Sequence, residues 1–224
     1  MRKHYLDKAF EPQSVAVIGA TDREASVGRQ ILQNIIDGGF EGEVYPVNPA
    51  RKRILKRRAY PTIPEIDHPV DLAIICVPAR EVPAVLQQCG EHSVGAVIVI
   101  SAGFAEVGDR GLALQAEILD IARTFDIALI GPNCMGLIRP GVGLNASLTR
   151  STVGTGEVAL VAQSGAICTA LLDWGFSRGF GFCQGRFQFI RGHGNLGCQT
   201  VLGGSVQVNI LSGHDNRRNR QARK

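Results

Sequence analysis

No apolar run in the 224 residues reaches the roughly 18 to 20 needed to span a membrane, and Met1-Arg2-Lys3-His4-Tyr5-Leu6-Asp7 is followed by no signal-peptide core. Both absences point to a cytoplasmic protein. Aromatic residues are scarce at 6%, yet 45% of the chain is hydrophobic and 20% charged, which excludes a disordered or fibrous protein. The length suffices for one sizeable core and part of a second. Cys76, Cys89, Cys134, Cys168, Cys183 and Cys198 stand 13, 45, 34, 15 and 15 residues apart without a CxxC or CxxC/HxxxH set, so neither a zinc site nor a disulfide framework is indicated. A nucleic-acid footprint is missing too. The net charge of +4 is the sum of two unlike segments: residues 1–182 hold 17 Lys/Arg against 19 Asp/Glu, whereas 183–224 hold 7 against 1.

What is present is an alternation of strands and helices. Ser14–Ile18 is a short apolar run ending at Gly19-Ala20-Thr21, as expected of a strand buried on both faces. Val27, Ile31, Leu32, Ile35 and Ile36 then fall on one helical face closed by Gly38-Gly39. Further strands are predicted at Glu43–Val47, Leu72–Val77, Ala96–Ile100 and Ile127–Ile130, with helices over Glu81–Cys89 and around Leu114–Phe125. This order means an α/β fold around a parallel sheet covered on both faces. Residues 138–156, rich in Gly, Ser, Thr and Asn, read as a linker. A second α/β unit is expected to open with the strand Val158–Ala162 and a helix presenting Ile167, Ala170, Leu171 and Trp174; order is expected to dissolve from Cys183.

The loop from Gly19 to Gly28 joins a buried strand to a helix N-terminus, where backbone N–H groups and the helix dipole favour an anion. It is neither a strict GxGxxG nor a Walker loop, and a plain βα turn accounts for the glycines equally well. The second strand lacks the acidic residue that an NAD site places about 20 residues beyond the glycines; Tyr45-Pro46-Val47-Asn48-Pro49 stands there instead. Arg51, Lys52, Arg53, Lys56, Arg57 and Arg58 follow. A solvated basic face is the plain reading, but beside a nucleotide pocket such a cluster suits a phosphorylated adenosine, as in coenzyme A or NADP. Pro78, Ser101-Ala102-Gly103 and Gly131-Pro132-Asn133-Cys134-Met135-Gly136 fall at carboxyl ends of strands, where open α/β sheets bind ligands. Cys134 has no histidine near it in sequence and is assigned no catalytic role. Gln163-Ser164-Gly165 repeats the anion-site logic but is not a G-x-S-x-G elbow.

These stretches, with Gly39-Phe40-Glu41-Gly42, Val70-Asp71-Leu72-Ala73-Ile74, Phe104-Ala105-Glu106 and Ala166, form seven ordered motifs over residues 5–182. In them the chain resembles the N-terminal part of the NDP-forming acyl-CoA synthetases, the succinyl-CoA ligase alpha-subunit superfamily. It is most similar to long members that add an ATP-grasp domain and often a GNAT acetyltransferase domain. The resemblance implies a Rossmann-like CoA-binding domain at 1–137, the 138–156 linker and, over 157–182, the start of a flavodoxin-like domain. It implies CoA phosphates at Gly19, Ala20, Thr21, Val27 and Gly28, and the adenosine end near Asn48, Arg51 and Lys52. Val77, Pro78, Ser101, Ala102 and Gly103 would line the cofactor, Pro132 and Asn133 would shape the reaction centre, and the helix begun at Gln163, Ser164 and Gly165 would receive a phosphorylated histidine.

The resemblance fails at Cys183. The basic stretch 183–224 lacks the family's continuation, as though the reading frame were disturbed over about 183–216. The relay histidine would lie beyond this text, and neither His193 nor His214 is assigned its role. The expected function is the CoA-binding portion of an acyl-CoA synthetase, inactive by itself, with no metal site and with an ATP-grasp domain or subunit as partner. A regulatory CoA-binding region of a protein lysine acetyltransferase and a non-catalytic nucleotide-sensing module are the alternatives.

Overall fold

The computed structural model describes residues 6–150, 154–162 and 164–188, with 184–188 described through their backbone. In chain order the elements are α1 (Asp7–Phe10), β1 (Ser14–Ile18), α2 (Val27–Asp37), β2 (Glu43–Val47), and a hairpin of β3 (Arg53–Ile54) and β4 (Arg57–Arg58). Next come β5 (Leu72–Ile75), α3 (Val82–Glu91), β6 (Ala96–Val99), α4 (Asp109–Thr124) and β7 (Ala128–Ile130). Last are β8 (Cys134–Arg139), β9 (Leu144–Ser147), β10 (Thr155–Ala162), α5 (Gly165–Arg178) and β11 (Phe182–Gln188). No helix among the described residues is long and apolar enough to cross a membrane.

The first sheet is parallel, with order β2-β1-β5-β6-β7. Its strands are continuous apolar runs because both faces are covered, and the two-residue period deals successive side chains to opposite layers. Val15, Val17, Leu72, Ile74 and Ile98 pack with Ile31, Leu32 and Ile35 of α2. Ala16, Ile18, Ala73, Ile75 and Val97 pack with Val82 and Leu86 of α3 and Ile118 and Ala122 of α4. The chain leaves β1 toward β2 on one side and β5 toward β6 on the other, so the strand order reverses between β1 and β5. Open α/β sheets hold ligands in the crevice at the carboxyl ends of such a pair.

Four sequence expectations are corrected in detail. Val27, assigned to the buried face of α2, is 41% exposed because it is the first helical residue, ahead of the buried Gly28. The 138–156 stretch carries the end of β8, all of β9 and the start of β10. Its Pro140 and Gly143 are the turn of the β8–β9 hairpin, whose register pairs Leu137 with Ala146 and Arg139 with Leu144. Helix α5 buries Gly165, Cys168, Leu172 and Gly175, and leaves Ile167, Leu171 and Trp174 exposed. A helix apolar almost all round gives periodicity no face to choose, and the small residues won because β11 approaches closely there: a Cβ on Gly175 would sit 2.7 Å from the Phe182 ring. Finally, order continues past Cys183. Strand β11 runs to Gln188, parallel to β10 and antiparallel to β8, in a four-stranded sheet of order β10-β11-β8-β9. The expectations for 189–224 lie outside the described residues.

At the amino ends of the first sheet's strands, Asp71 gathers a network. Its carboxylate pairs with Lys8 of α1 and accepts the Gln13 N–H at 2.8 Å, its own N–H donates to Ser14 Oγ at 2.9 Å, and that hydroxyl donates to the Pro69 carbonyl at 2.8 Å. The Asp71 side chain is only 10% exposed while its partners Lys8 and Gln13 are exposed, so Asp71→Ala removes an ion pair and a charge-assisted hydrogen bond without stranding a buried donor and is expected to lower the unfolding free energy by about 1–2 kcal/mol in urea denaturation. Asp120→Ala, which breaks an ion pair with Arg123 whose members are 74% and 56% exposed, should change it by less than about 1 kcal/mol.

Candidate functional site: the carboxyl rim of the parallel sheet

The site begins with a backbone collision that only glycine avoids. Gly19 leaves β1 at φ +85°, and a Cβ on it would lie 2.9 Å from the Cys76 carbonyl oxygen. A Cβ on Gly28, in the first turn of α2, would lie 2.0 Å from the Gly19 carbonyl oxygen. Both ends of the loop are therefore held close to the exits of β1 and β5, with the N-terminus of α2 directly behind it. Ser26 caps that helix by accepting the Arg29 N–H at 3.4 Å, and Thr21 Oγ1 accepts the Arg23 N–H at 3.2 Å. The exposed Val27 faces solvent at the helix start.

Hydrogen bonds stitch each strand exit to the next. Asn48, just past β2, donates through Nδ2 to the Ala20 carbonyl at 2.7 Å and accepts the Ala50 N–H at 2.9 Å. Its side chain thus holds the β2 exit to the loop. Past β5, Val77 receives the Ser101 hydroxyl on its carbonyl at 2.5 Å. Ser101, past β6, accepts the Asn133 N–H at 3.0 Å, and Asn133 follows a cis Gly131–Pro132 bond past β7. The sites expected at Gly19–Gly28, Asn48, Val77–Pro78, Ser101–Gly103 and Pro132–Asn133 are therefore brought together on one rim.

The basic cluster is tied to the same rim. Arg53–Arg58 form the β3–β4 hairpin, turned at Leu55 and Lys56 with φ of 44° and 64°, a conformation that L residues seldom adopt. The Leu55 N–H donates to Asp22 Oδ1 at 2.9 Å, and the Asp22 carbonyl takes a guanidinium hydrogen of Arg29 at 2.7 Å. Asp22 thus fastens the cationic hairpin to the glycine loop. Arg58 lies over the Tyr60 ring, 4.8 Å from its centroid, and Arg53 donates to the Lys56 carbonyl at 3.2 Å. Arg51, Lys52, Lys56 and Arg57 are exposed.

Glu106 was not singled out from sequence as a site residue. Burial raises its carboxyl pKa, but hydrogen bonds from the backbone N–H groups of Gly103, Glu106 itself and Phe104, and from the Asn133 side chain, outweigh this and hold it below the ordinary carboxylate value. No sequence signal reveals Asp22 either, because its partner lies 33 residues on. Cys134 is buried and its thiol donates to the Val99 carbonyl at 3.3 Å, the setting of a packing residue. Burial pushes the Cys76 thiol far up and the Cys89 thiol up to about 12, which disfavours thiolate chemistry at both. Among the described residues no three His, Cys, Asp or Glu form a metal-binding group.

Ser164 and Gly165 stand at the start of α5, where Ser164 Oγ accepts the Ile167 N–H at 3.4 Å. Gln163 lies outside the described residues. A hollow of about 680 Å³ between α2 and the β8–β9 hairpin, lined by Arg29, Asn34, Asn145 and Arg150, flanks the rim and meets it at Glu24–Ser26.

Residues 13–140 match the family described as the CoA binding domain. The chain is 41% identical over 179 residues to the ADP-forming acetate–CoA ligase I of Archaeoglobus fulgidus, covering 80% of this chain and 26% of that protein. It is 39% identical over 173 residues to the alpha subunit of the ADP-forming acetate–CoA ligase I of Pyrococcus furiosus, covering 75% of this chain and 37% of that one. A dinucleotide-forming acetyl-coenzyme A synthetase of Ca. Korarchaeum cryptofilum, solved with phosphate and ADP, superposes with a TM-score of 0.77 at 34% identity over 81% of this chain and 39% of its own. The chain thus spans between a quarter and two fifths of the length of these relatives.

Gly28→Ala, which drives a methyl group into the Gly19 carbonyl, is expected to destabilise the fold by about 1–3 kcal/mol in chemical denaturation.

Proposed function

The chain belongs to the CoA binding domain family, and we propose that it binds coenzyme A across the carboxyl rim of its parallel sheet, as the CoA-binding portion of an NDP-forming acyl-CoA synthetase. The observation that carries this reading is the bond between Asp22 and Leu55, which presents a cationic hairpin and a helix-backed glycine loop as one surface. Coenzyme A bears a diphosphate and a separate 3′-phosphate. The loop at the N-terminus of α2 suits the diphosphate, because the first N–H groups of a helix have no intrahelical partners and its dipole favours negative charge. Arg51 and Lys52, beside Asn48, suit the adenosine end and its extra phosphate. An NAD site is disfavoured because Asn48, not an acid, stands past β2, and its amide is engaged with Ala20 and Ala50.

In this reading Val77, Pro78, Ser101, Ala102 and Gly103 line the path of the pantetheine arm toward Pro132 and Asn133. The rim excludes water on one side and orients the thiol; thioester formation from a carboxylic acid, CoA and a nucleoside triphosphate requires a relay histidine and a nucleotide site, assigned to an ATP-grasp domain or subunit. That the Pyrococcus furiosus relative is named an alpha subunit supports such a division of labour. The Ser164–Gly165 turn is the proposed receiver of the phosphorylated histidine, in a second domain beginning near residue 157. CoA acts in this scheme as a substrate and not as a resident cofactor.

Calorimetric titration with CoA, dephospho-CoA, NADP and NAD tests the reading. CoA is expected to bind about tenfold tighter than dephospho-CoA, equivalent to about 1.4 kcal/mol, and the difference should shrink as salt is raised and in the Arg51→Ala, Lys52→Ala double variant. Tighter binding of NAD than of CoA would refute it, and equal binding of CoA and NADP would favour a nucleotide-sensing module.

A further inference from the structure

The cationic hairpin is at odds with itself. Strands β3 and β4 are two residues each, and their register sets Arg53 directly across from Arg58, a like-charged pair that repels. The turn residues Leu55 and Lys56 sit at φ of 44° and 64°, where a side chain is strained. Buried Ile54 and the Asn48 N–H, which donates to the Tyr60 carbonyl at 2.8 Å, anchor the base, and the Ala59 N–H donates to the Lys52 carbonyl at 3.0 Å, so that Lys52 moves with the hairpin. At the tip the tie is Asp22. Its Oδ1 accepts the Leu55 N–H at 2.9 Å, and its own carbonyl is held at 2.7 Å by Arg29 in the first turn of α2. One aspartate therefore bridges the helix behind the glycine loop and the turn of the basic hairpin, although it sets a negative charge beside the surface proposed to take phosphates.

From this bridge we infer that Asp22 is a positioning residue for the 3′-phosphate of coenzyme A: it makes the site selective for the phosphorylated adenosine by fixing the hairpin turn, and through the hairpin Lys52. The inference rests on the CoA-binding reading for its ligand. Two effects of the carboxylate oppose each other. Its charge disfavours a phosphate nearby, an effect that salt screens at so exposed a residue. Its acceptor oxygen holds the turn in one geometry, and a like-charged cluster released from that hold spreads apart and presents its cations to a phosphate less closely. The charge and the acceptor can be removed separately, since an asparagine amide offers the same oxygen without the charge. Loss of the charge alone strengthens phosphate binding and loss of the acceptor weakens it, so the sign of the change reports which effect governs.

The experiment titrates CoA and dephospho-CoA into the full chain and into its Asp22→Ala and Asp22→Asn variants by calorimetry, with urea denaturation to establish folding and site-resolved hydrogen exchange at Leu55. Asp22→Ala is expected to cut the preference for CoA from about tenfold to about twofold, to leave dephospho-CoA affinity at or above the wild-type value, and to speed exchange at Leu55. Asp22→Asn should keep the wild-type preference or raise it, with Leu55 still protected. In the Arg51→Ala, Lys52→Ala background, Asp22→Ala should change the preference no further. An unchanged or increased preference for CoA in a folded Asp22→Ala variant would overturn the inference, as would an Asp22→Asn variant that behaves like Asp22→Ala. Equal losses for the two ligands would make Asp22 a general support of the site and also overturn it. A wild-type chain that binds CoA no better than dephospho-CoA would defeat the 3′-phosphate assignment before any variant is read; failure in the variants alone overturns the inference and leaves the CoA-binding reading standing.

Discussion

The approach of Gly28 to the Gly19 carbonyl is the contact from which the site follows. A side chain at Gly28 would lift α2 from the end of β1, and one at Gly19 would press on the Cys76 carbonyl past β5. With both glycines in place, the helix N-terminus arrives at the strand exit where the order of the sheet reverses, and its dipole points into the crevice between β1 and β5. Asp22 and Asn48 can then reach the hairpin and the second strand from a fixed base. The placement of the helix N-terminus, of the cations and of the adjoining exits descends from this one backbone contact.

The same strands serve different ends of the molecule differently. At their amino ends the Asp71 network ties α1 to the loops before β1 and β5, through a buried carboxylate with exposed partners. At their carboxyl ends the hydrogen bonds run from loop to loop, through Asn48, Ser101 and Asn133, with side chains half-buried and open to a ligand. Binding residues on loops held by a rigid scaffold are a common arrangement. Here the loops are further held by one another, so that the rim is a closed series of contacts from β2 to β7.

Much of this was legible in the residues. The strands of the parallel sheet are short apolar runs because both of their faces are covered, and such runs stand out in sequence; β1 and β2 fall where the pattern puts them. The placement of the glycine loop, Asn48, and the Ser101 and Asn133 segments at strand ends was likewise readable, since it follows from where the apolar runs stop. Asp22 was not. Its role depends on Leu55, a partner brought near by the fold, and an acidic residue in a polar loop carries no mark of what it will accept from. Strands β8 and β9 were hidden for a related reason: Gly136, Asn145 and Ser147 have little strand preference, and pairing on the backbone, not the side chains, makes them strands. Bulk is a poor guide to the face of α5, where close approach to Phe182 of β11 favours Gly175, and Cys168 and Leu172 complete the buried cluster.

The division of each strand between two layers turns the sheet into a ruler. Slipping β1 by one residue would exchange Val15 and Val17 with Ala16 and Ile18, sending the larger set against α3 and α4 and the smaller against α2, a misfit felt along the whole strand. The core therefore measures out where Gly19 begins, to within a single residue, before any group on the rim makes a contact of its own. Accuracy at the site is supplied by counting along buried valines and isoleucines that no ligand touches.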